Sequence, residues 1–388
     1  MHRCASCLLS VTILACALFV LPCASAADAS QWVKHPSNPV LSPTPGAWDA
    51  WGVLIPRVLH DGTTFKMWYV GFRTENGGGK IGYATSPDGI IWTKHPDPVL
   101  EPGGSGSWDS YTVELGSVIW SGSLYLMWYA GGPFGSSPVA VGLATSPDGI
   151  SWSKYTGNPV MRGSSGGVAT RGMTSQGFLK YPYVISVDGA YKMWYTQGAG
   201  TSSSSIFYAS SNDGISWTKR SSPVLTPSSN PHDWDAVAVY SPTVIYDGST
   251  YWMWYSGEDP PSTAINPGAV LASAPVWLTG YATSKDGLSW TMYAGNPILG
   301  LGPSGSWDSY DSLDNQGVVL VDNRVMLYYS AAQLVSGKQV SYKIGLATPP
   351  EGFAIPEMSS QAPILLLGVL LLTVTIVVRH RSSRLFGP

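Results

Sequence analysis

The feature that most constrains how this chain can fold is a short element, Met-Trp-Tyr, that returns at regular intervals. Five copies occur, the last in the looser form Met-Leu-Tyr-Tyr, and their first residues are Met67, Met127, Met193, Met253 and Met326. Neighbouring copies are 60 to 73 residues apart. Self-similarity at such a period is the signature of an architecture that stacks copies of one supersecondary unit.

Each repeat contains the pattern of four β-strands. An apolar run that ends in Asp-Gly precedes Met-Trp-Tyr, as in residues 58–62 and 244–248. A third segment follows, such as residues 81–85, and leads through a Ser-Pro-Asp-Gly turn into a segment of the form Trp-x-Lys. Asp-Gly between β-rich runs is a strong hairpin signal, because both residues can adopt the positive φ that such turns need.

The phase of the repeats favours a closed ring. One four-stranded meander cannot bury both of its faces, whereas five such sheets stacked around an axis can. A Trp-x-Lys segment stands at the start of the domain, with Trp32 and Lys34, whereas the last repeat stops near Phe353 without one. We therefore expect the N-terminal strand to complete the fifth sheet and so remove an exposed edge. The predicted fold is all-β, a five-bladed β-propeller over residues 27–353.

Residues 1–26 predict a secretory signal peptide. The apolar stretch at residues 8–21 follows the basic Arg3 and leads to Ala-Ser-Ala at residues 24–26, which matches a small-residue cleavage site. All four cysteines of the chain lie inside this segment. The mature protein would therefore contain no disulfide and no thiolate metal site, although its destination is oxidising.

The C-terminal end predicts a membrane anchor. After a linker at residues 354–361, residues 362–378 form an uncharged apolar run, and a basic tail occupies residues 379–388. The run is at the short end of a membrane-spanning helix, and the basic tail places the C-terminus in the cytoplasm with the body outside. The Ile-Pro-Glu-Met sequence at residues 355–358, the apolar run and the arginines together resemble the sorting tails of exosortase or archaeosortase systems. That resemblance implies that the helix is cleaved and replaced by a surface anchor.

The low charge of the chain argues against nucleic acid as a partner. The net charge is −3, only 12% of residues are charged, and no basic patch with interleaved aromatic residues occurs. The expected partners are therefore extracellular molecules, together with the membrane that holds the C-terminal helix.

Strand parity decides which loops share a face of the ring. The connections into the first strands lie together with the loops between the second and third strands, on what we call the front face; the Asp-Gly turns lie on the opposite face. Four Trp-Asp pairs lead toward the front ends of inner strands, at Trp48, Trp108, Trp234 and Trp307. They could form a ring of acids, but four equivalent copies favour a structural role, with Asp bonded to a turn and Trp packed between blades.

Residues that break the repeat are the better candidates for function, since the fold itself does not require them. Glu114 stands in the inner strand of blade 2, where blades 1 and 4 have Leu54 and Tyr240. Blade 3 lacks a Trp-Asp pair and offers Arg171, Gln176 and Lys180 instead, and blade 4 carries a long insertion after its second strand. The candidate catalytic residues are Glu114, Asp311, Asp314 and Glu258, and the candidate substrate-binding residues are Arg57, Arg171, Gln176, Asp259 and Trp277. No residue is nominated as a metal ligand.

Over residues 31–353 the combined pattern resembles the five-bladed glycoside hydrolases. That group includes the arabinanase and β-xylosidase family, the invertase and levansucrase families, and the mannoside phosphorylases. The resemblance implies two axial carboxylates, one to protonate the leaving oxygen and one to activate water or to attack the sugar. The two are roughly 6.5–9.5 Å apart in inverting enzymes and about 5 Å apart in retaining ones.

The resemblance can be carried over only in part. For an enzyme of this kind we expect Glu114 to be the general acid, Asp314 or Asp311 its partner and Glu258 a reserve acid. Arg57 and Arg171 would then hold sugar hydroxyls or phosphate. The group typically has an Asp directly before the inner-strand Pro of its first blade, whereas this chain has Ile55 before Pro56. The first acid of the group is therefore missing from its usual place.

Two hypotheses stay open at this point. The chain is either a surface-anchored, glycoside hydrolase-like enzyme acting on extracellular oligo- or polysaccharides, or a noncatalytic propeller that binds glycan or protein. Glu114 and the acidic cluster of blade 5 favour the enzyme, whereas Ile55 favours the binding protein. Neither hypothesis requires a cofactor. Calcium on the axis stays open, although no loop has the alternating acidic spacing of a dedicated calcium site.

Overall fold

The computed structural model describes residues 32–133, 140–163, 178–199, 202–260, 276–303, 305–309, 311–332, 334–335, 338–339, 341–351 and 353, without the side chains of residues 199, 202–203, 311–315 and 334–339. The predicted signal peptide, linker, membrane helix and basic tail lie outside these residues. Every regular element in the described part is a β-strand. Among these residues there is accordingly no helix with the length and apolar character needed to span a bilayer.

The described part contains 23 strands, most of them in sheets of four. In chain order they are β1 (Val33–Lys34), β2 (Gly52–His60), β3 (Phe65–Phe72), β4 (Lys80–Ser86), β5 (Thr93–Lys94), β6 (Thr112–Trp120), β7 (Tyr125–Gly132), β8 (Ala140–Ser146), β9 (Ser153–Lys154), β10 (Met161–Arg162), β11 (Phe178–Val187), β12 (Ala190–Ala199), β13 (Ser202–Ser211), β14 (Thr218–Lys219), β15 (Ala238–Tyr246), β16 (Tyr251–Asp259), β17 (Val276–Ser284), β18 (Thr291–Met292), β19 (Asp311–Val321), β20 (Arg324–Ala332), β21 (Leu334–Val335), β22 (Lys338–Gln339) and β23 (Lys343–Thr348).

These strands form five antiparallel blades, as the repeats predict. Blade 1 is β2–β3–β4–β5, blade 2 is β6–β7–β8 with β9 and β10 both paired to β8, blade 3 is β11–β12–β13–β14, and blade 4 is β15–β16–β17–β18. Blade 5 is β19–β20–β23–β1, and β21 and β22 form a separate hairpin. Each inner strand (β2, β6, β11, β15 and β19) contacts the inner strands of the blades on both sides, so the ring closes. The prediction of a five-bladed β-propeller is confirmed.

The N-terminal strand closes the ring in the predicted way. In the β1–β23 ladder, Val33 faces Thr348 and Lys34 faces Ala347. The pairing resumes further along the chain, where Leu41 bridges to Ile344. The first and last segments of the domain therefore share one sheet, and the first segment supplies the fourth strand of blade 5.

Aromatic pairs join every blade to its neighbour. One ring of each pair stands beside the fourth strand of a blade. The other ring occupies the Trp position of Met-Trp-Tyr in the preceding blade. The two rings lie edge-on, with their planes 78° to 84° apart. The pairs and centroid distances are Trp92–Tyr328 at 5.8 Å, Trp152–Trp68 at 6.3 Å, and Trp217–Trp128, Trp290–Trp194 and Trp32–Trp254 at 6.2 Å each. Edge-to-face contacts of this kind add to the energy of burial. The five pairs form a ring, and Trp32 supplies the last of them.

The Ser-x-Asp-Gly turns support the same interfaces between blades. In blade 2, Ser146 Oγ accepts the Gly149 N–H at 2.8 Å, and Gly149 has a φ of +81°. The carbonyl of Gly149 accepts the indole N–H of Trp68 in blade 1 at 2.8 Å. Trp128 and Trp194 make the same bond to the next blade. The turn therefore fixes the Trp side chain that the aromatic pair contacts.

The hairpin turns between first and second strands follow the predicted geometry only in part. In blade 3 both Asp188 and Gly189 have positive φ, at 53° and 77°. In blade 1 only Gly62 does, because the Asp61 carboxylate accepts the N–H groups of Thr63 and Thr64 and builds a longer loop. The expectation of two positive φ angles is therefore wrong for blade 1, where a side-chain bond replaces the tight turn.

Loss of the closing aromatic pair should destabilise the whole ring. Trp32 is 4% exposed, so Trp32→Ala leaves a cavity against Trp254 and Phe353 and should lower the free energy of unfolding by about 3–5 kcal/mol. The free energy of unfolding is measured by chemical denaturation, with tryptophan fluorescence as the probe. The control is Val33→Ala on the same strand; Val33 is 59% exposed, and its truncation should change stability by less than about 0.5 kcal/mol. Equal effects of the two substitutions would contradict the closure.

Candidate functional site

Every inner strand carries an irregularity near the same point. The register shifts between Leu54 and Arg57 in blade 1 and at the corresponding place in blades 3 and 4. The shift of blade 2 begins one residue later, and blade 5 has a shift on each side of Asp314. Ile55, Tyr181 and Ser241 adopt positive φ angles of 52° to 55° in these irregular stretches, and each precedes a proline. Positive φ is strained for a β-branched residue such as Ile55. Its N–H donates to Ser330 Oγ of blade 5 at 3.1 Å, so a contact between blades helps to hold the bulge.

One register position just before this irregular stretch is equivalent in all five inner strands. We call these five positions the mouth ring, and they are Leu54, Glu114, Lys180, Tyr240 and Asp314, which face Val70, Ala130, Thr196, Ser256 and Ser330 of the second strands. Two members are acidic. Glu114 in blade 2 and Asp314 in blade 5 flank blade 1, which carries Leu54.

Glu114 forms an ion pair within the mouth ring. Lys180 Nζ lies 3.8 Å from Glu114 Oε2, and the two side chains are 24% and 13% exposed. The pair joins neighbouring blades 2 and 3 and leaves both groups accessible to a ligand. The sequence singled out both residues as departures from the repeat but did not predict that they form an ion pair.

Blade 4 contributes a polar and aromatic wall. Tyr240 Oη donates to Glu258 Oε2 at 2.9 Å, which joins the mouth ring to the end of β16. Glu258 faces Trp277 across the β16–β17 pairing. Trp277 is half-buried, and its buried indole N–H has no acceptor among the described residues. Asp259, next in the chain, is 4% exposed. Two nominated residues, Glu258 and Trp277, thus lie together.

Arg57 lies below the mouth ring and is 3% exposed. Its Nη1 donates to Pro56 O at 2.9 Å and to Gln316 O at 2.7 Å, and its Nε donates to Gly116 O. The guanidinium also lies 5.3 Å from the ring centroid of Tyr183 in blade 3. Burial lowers the pKa of Arg57 to about 10, which still leaves it charged at neutral pH.

An aromatic group on the front face was not anticipated from the sequence. Trp51 lies 6.2 Å from Phe72 and 5.7 Å from Tyr342, centroid to centroid, and all three rings are half-buried. An aromatic residue two places after the Asp of a Trp-Asp pair is the sequence feature that could have indicated this group. It is Trp51 in blade 1 and Tyr111 in blade 2.

The Trp-Asp pairs are structural, as the four equivalent copies predicted. Asp49 accepts the Lys94 ammonium at 2.5 Å and the Tyr69 hydroxyl at 3.4 Å within blade 1. The same pair of donors reaches the aspartates of blades 2 and 5. The predicted packing of the Trp between blades is wrong, because Trp48 stacks on Tyr69 of its own blade at 5.9 Å. The Trp beside the fourth strand fills the space between blades instead.

Blade 4 lacks this ion pair. Asp235 accepts the Tyr255 hydroxyl at 3.2 Å, but Met292 stands where the other fourth strands have Lys. Burial raises the pKa of Asp235, and the nearby Asp233 charge adds to this effect. Asp235 is therefore a buried acid without a lysine partner at the register position that supplies one elsewhere.

Several nominated residues lie where their side chains are not described. Arg171 and Gln176 fall outside the described residues, and Asp311 and Asp314 are placed only by the backbone of β19. Their predicted roles stay predictions. Among the described side chains, no group of three or more His, Cys, Asp or Glu residues could hold a metal ion.

Comparison with known proteins identifies relatives in sequence and in fold. No family model matches the sequence. Uncharacterized proteins of Mycobacterium tuberculosis strains CDC 1551 / Oshkosh and H37Rv are each 26% identical over 260 residues, which cover 64% of this chain and 78% of theirs.

Solved five-bladed structures have the same fold. One of them comes from work on the GH130 family of mannoside phosphorylases. That family is said there to contain glycoside hydrolases that target β-1,2-mannosidic linkages in Candida mannan. This structure is 20% identical with a TM-score of 0.60, and the match covers 84% of this chain and 97% of that one. A putative glycosidase from Bacteroides thetaiotaomicron is 17% identical with a TM-score of 0.61, covering 84% and 98%. At this level of identity the likeness shows the fold alone, a glycoside hydrolase-like propeller.

A lysine at position 292 should restore the missing ion pair of blade 4. A raised pKa in the folded state means that the contribution of Asp235 to stability falls as pH rises through the range between its ordinary and raised pKa. Met292→Lys supplies a counter-charge and should raise the free energy of unfolding by about 1 kcal/mol at neutral pH. The gain should disappear near about pH 3, where the carboxyl group is protonated.

The control for this substitution is Thr291→Lys, which adds the same charge at the neighbouring exposed position. Denaturant titrations at both pH values compare the two variants. An equal gain from both, or a gain from Met292→Lys that persists at acid pH, would rule out an ion pair with Asp235.

Proposed function

We propose that this chain is a carbohydrate-active propeller, glycoside hydrolase-like in activity as well as in fold, whose substrate is an extracellular oligo- or polysaccharide bound at the mouth ring. The observation that carries the proposal is the equivalent placement of Glu114 and Asp314 in the two blades that flank blade 1. Half-buried aromatic rings, including Trp51 and Trp277, stand on the same front face. Aromatic faces with a few polar groups are the usual composition of a small-molecule site.

Hydrolysis of a glycosidic bond needs two carboxyl groups with different roles. One protonates the leaving oxygen, and the other activates water or attacks the sugar carbon. Lys180 gives the Glu114 carboxylate a counter-charge, which suits the partner that acts as an anion. We therefore assign Glu114 the role of base or nucleophile and Asp314 that of proton donor, which exchanges the roles expected from the sequence.

A noncatalytic, glycan-binding propeller is the second candidate. Among the described side chains, the residues that follow the mouth ring in the chain are Ile55, Leu115, Tyr181 and Ser241, and none of them has a carboxyl group. Within the protein, Lys180 already gives the Glu114 carboxylate a charged partner, so the pair also fits a structural role. A binding protein would use the same mouth ring, so the two candidates differ in the chemistry at Glu114 and Asp314.

The proposed location is the outer surface of the cell. Its support is the sequence of residues 1–26, with the features of a secretory signal, and of residues 362–378, with those of a membrane helix. An extracellular glycan would then meet the propeller outside. Recovery of the whole chain in the cytoplasmic fraction would contradict this location.

Substitution of Glu114 separates the two candidates. Wild-type protein should hydrolyse one member of a panel of 4-nitrophenyl glycosides and β-1,2-linked mannobiose, and Glu114→Gln should lower kcat by about 100-fold or more, because a carboxylate that acts on the reacting atoms is lost. Asp314→Asn should give a similar loss. The control is Glu101→Gln, which removes an exposed glutamate paired with Lys80 and should leave kcat unchanged.

The outcomes are distinct. Full activity in Glu114→Gln would remove this residue from the mechanism. Binding of a glycan by wild-type protein, weakened in Glu114→Gln but without hydrolysis of any member of the panel, would establish the binding protein instead.

A further inference from the structure

One buried cation ties the centre of the ring together. The guanidinium of Arg57, from blade 1, contacts Gly116 of blade 2, Tyr183 of blade 3 and Gln316 of blade 5. A side chain that reaches four of five inner strands, its own included, lies at the propeller axis. The carbonyl of Gln316 also accepts the hydroxyl of Thr243 in blade 4, so all five blades meet in this one cluster.

The carbonyl groups that Arg57 binds belong to the bulges. Gly116 O is two residues after Glu114, Gln316 O is two residues after Asp314, and Pro56 O is in the bulge of blade 1 itself. The guanidinium therefore holds the backbone of blades 2 and 5 against blade 1 directly below the two acidic members of the mouth ring.

Two glycines let these strands approach closely. A Cβ atom at position 116 would collide with the carbonyl oxygen of Pro182, and one at position 317 would collide with the carbonyl oxygen of Pro56. At both places the obstacle is backbone, which cannot turn away as a flexible side chain can. The spacing between inner strands is thus set by backbone contact beside the groups that Arg57 binds.

Stability of the fold does not by itself explain why position 57 is an arginine. A buried charge is costly, and no described carboxylate forms a salt bridge with Arg57. A planar fork of donors can, however, hold several carbonyl groups at fixed angles, which a lysine or an apolar side chain cannot do. The property that Arg57 offers at this place is geometric.

We propose that Arg57 is a positioning residue that fixes the separation of Glu114 and Asp314 by binding the backbone of both bulges, and that it does not contact the sugar. This inference rests on the proposed function and replaces the role in sugar binding that the sequence suggested for Arg57. It assigns the axial cluster to the geometry of the acid pair.

The test combines kinetics and structure for Arg57→Met and Arg57→Lys. With the 4-nitrophenyl glycoside that the wild type hydrolyses fastest, Arg57→Met should lower kcat by about tenfold or more while KM changes by less than about threefold, since carboxyl groups displaced by a fraction of an ångström lose alignment. Arg57→Lys, which keeps one charged donor, should fall in between. The control is Lys94→Met, which removes a buried ion pair of blade 1 far from the bulges and should leave kcat unchanged below its unfolding temperature.

Crystal structures of wild type and variants give a measurement that does not need activity. The distance between the Cα atoms of residues 114 and 314 should change by about 0.5 Å or more in Arg57→Met, or in Arg57→Lys should the first variant fail to fold. An unchanged distance would overturn the positioning role. A raised KM with unchanged kcat would also overturn it, in favour of direct contact with the sugar.

The failures of this inference and of the proposed function are distinguishable. Absence of hydrolysis by wild-type protein refutes the enzymatic function. The distance between the Cα atoms of residues 114 and 314 still shows, in that case, whether Arg57 sets the spacing of the mouth ring.

Discussion

The five edge-to-face aromatic pairs between blades are the interaction on which the rest of the structure depends. Each pair joins a residue beside the fourth strand to the second strand of the preceding blade, and Trp68, Trp128, Trp194 and Trp254 of the second strands are all fully buried. An aromatic residue in such a place contributes several kcal/mol, about 3–5 on truncation to Ala. The fifth pair uses Trp32, so the set is complete only when the first strand lies in the last blade.

Along each inner strand of the closed ring, some positions carry the same residue in every blade and others differ. Four residues beyond the mouth ring, every inner strand has a buried valine: Val58, Val118, Val184, Val244 and Val318. The mouth ring itself, in the same register across the same strands, carries an aliphatic, an acidic, a basic and an aromatic residue and a second acid. Since one architecture sets the environment of the five positions, packing alone does not require this difference. The valines hold the sheets, and the mouth ring is free to form a site.

Much of this could be predicted from the sequence because the repeats supply internal comparison. The period gave the number of blades, and the position of Trp32 relative to Phe353 gave the closure. Glu114 stood out because blades 1 and 4 have the uncharged Leu54 and Tyr240 at the equivalent position. The pairing of the Asp of Trp-Asp with the Lys of Trp-x-Lys was within reach, since both motifs are visible and blade 4 has Met292 in place of the lysine.

The features that could not be predicted depend on contacts between segments far apart in the chain, which no local sequence pattern connects. Positive φ at Ile55 follows from a bulge held by Ser330, which is 275 residues away in the chain. The place of Arg57 at the axis depends on carbonyl groups of three blades, and a single arginine in an inner strand gives no sign of that. Trp48 packs within its own blade because Tyr69 offers a ring to stack on, whereas its motif alone fits either arrangement.

The most direct test of closure by the N-terminal strand is native-state hydrogen exchange at the seam. The His35 amide donates to Leu346 O at 2.8 Å, and the Trp32 amide donates to Ile298 O at 2.9 Å. When the ring is one cooperative unit, both amides should exchange only through global unfolding, with the same free energy and denaturant dependence as the Val184 amide of an inner strand. Exchange of the seam amides through a local opening of much lower free energy, while Val184 stays protected, would contradict a ring held together by its first strand.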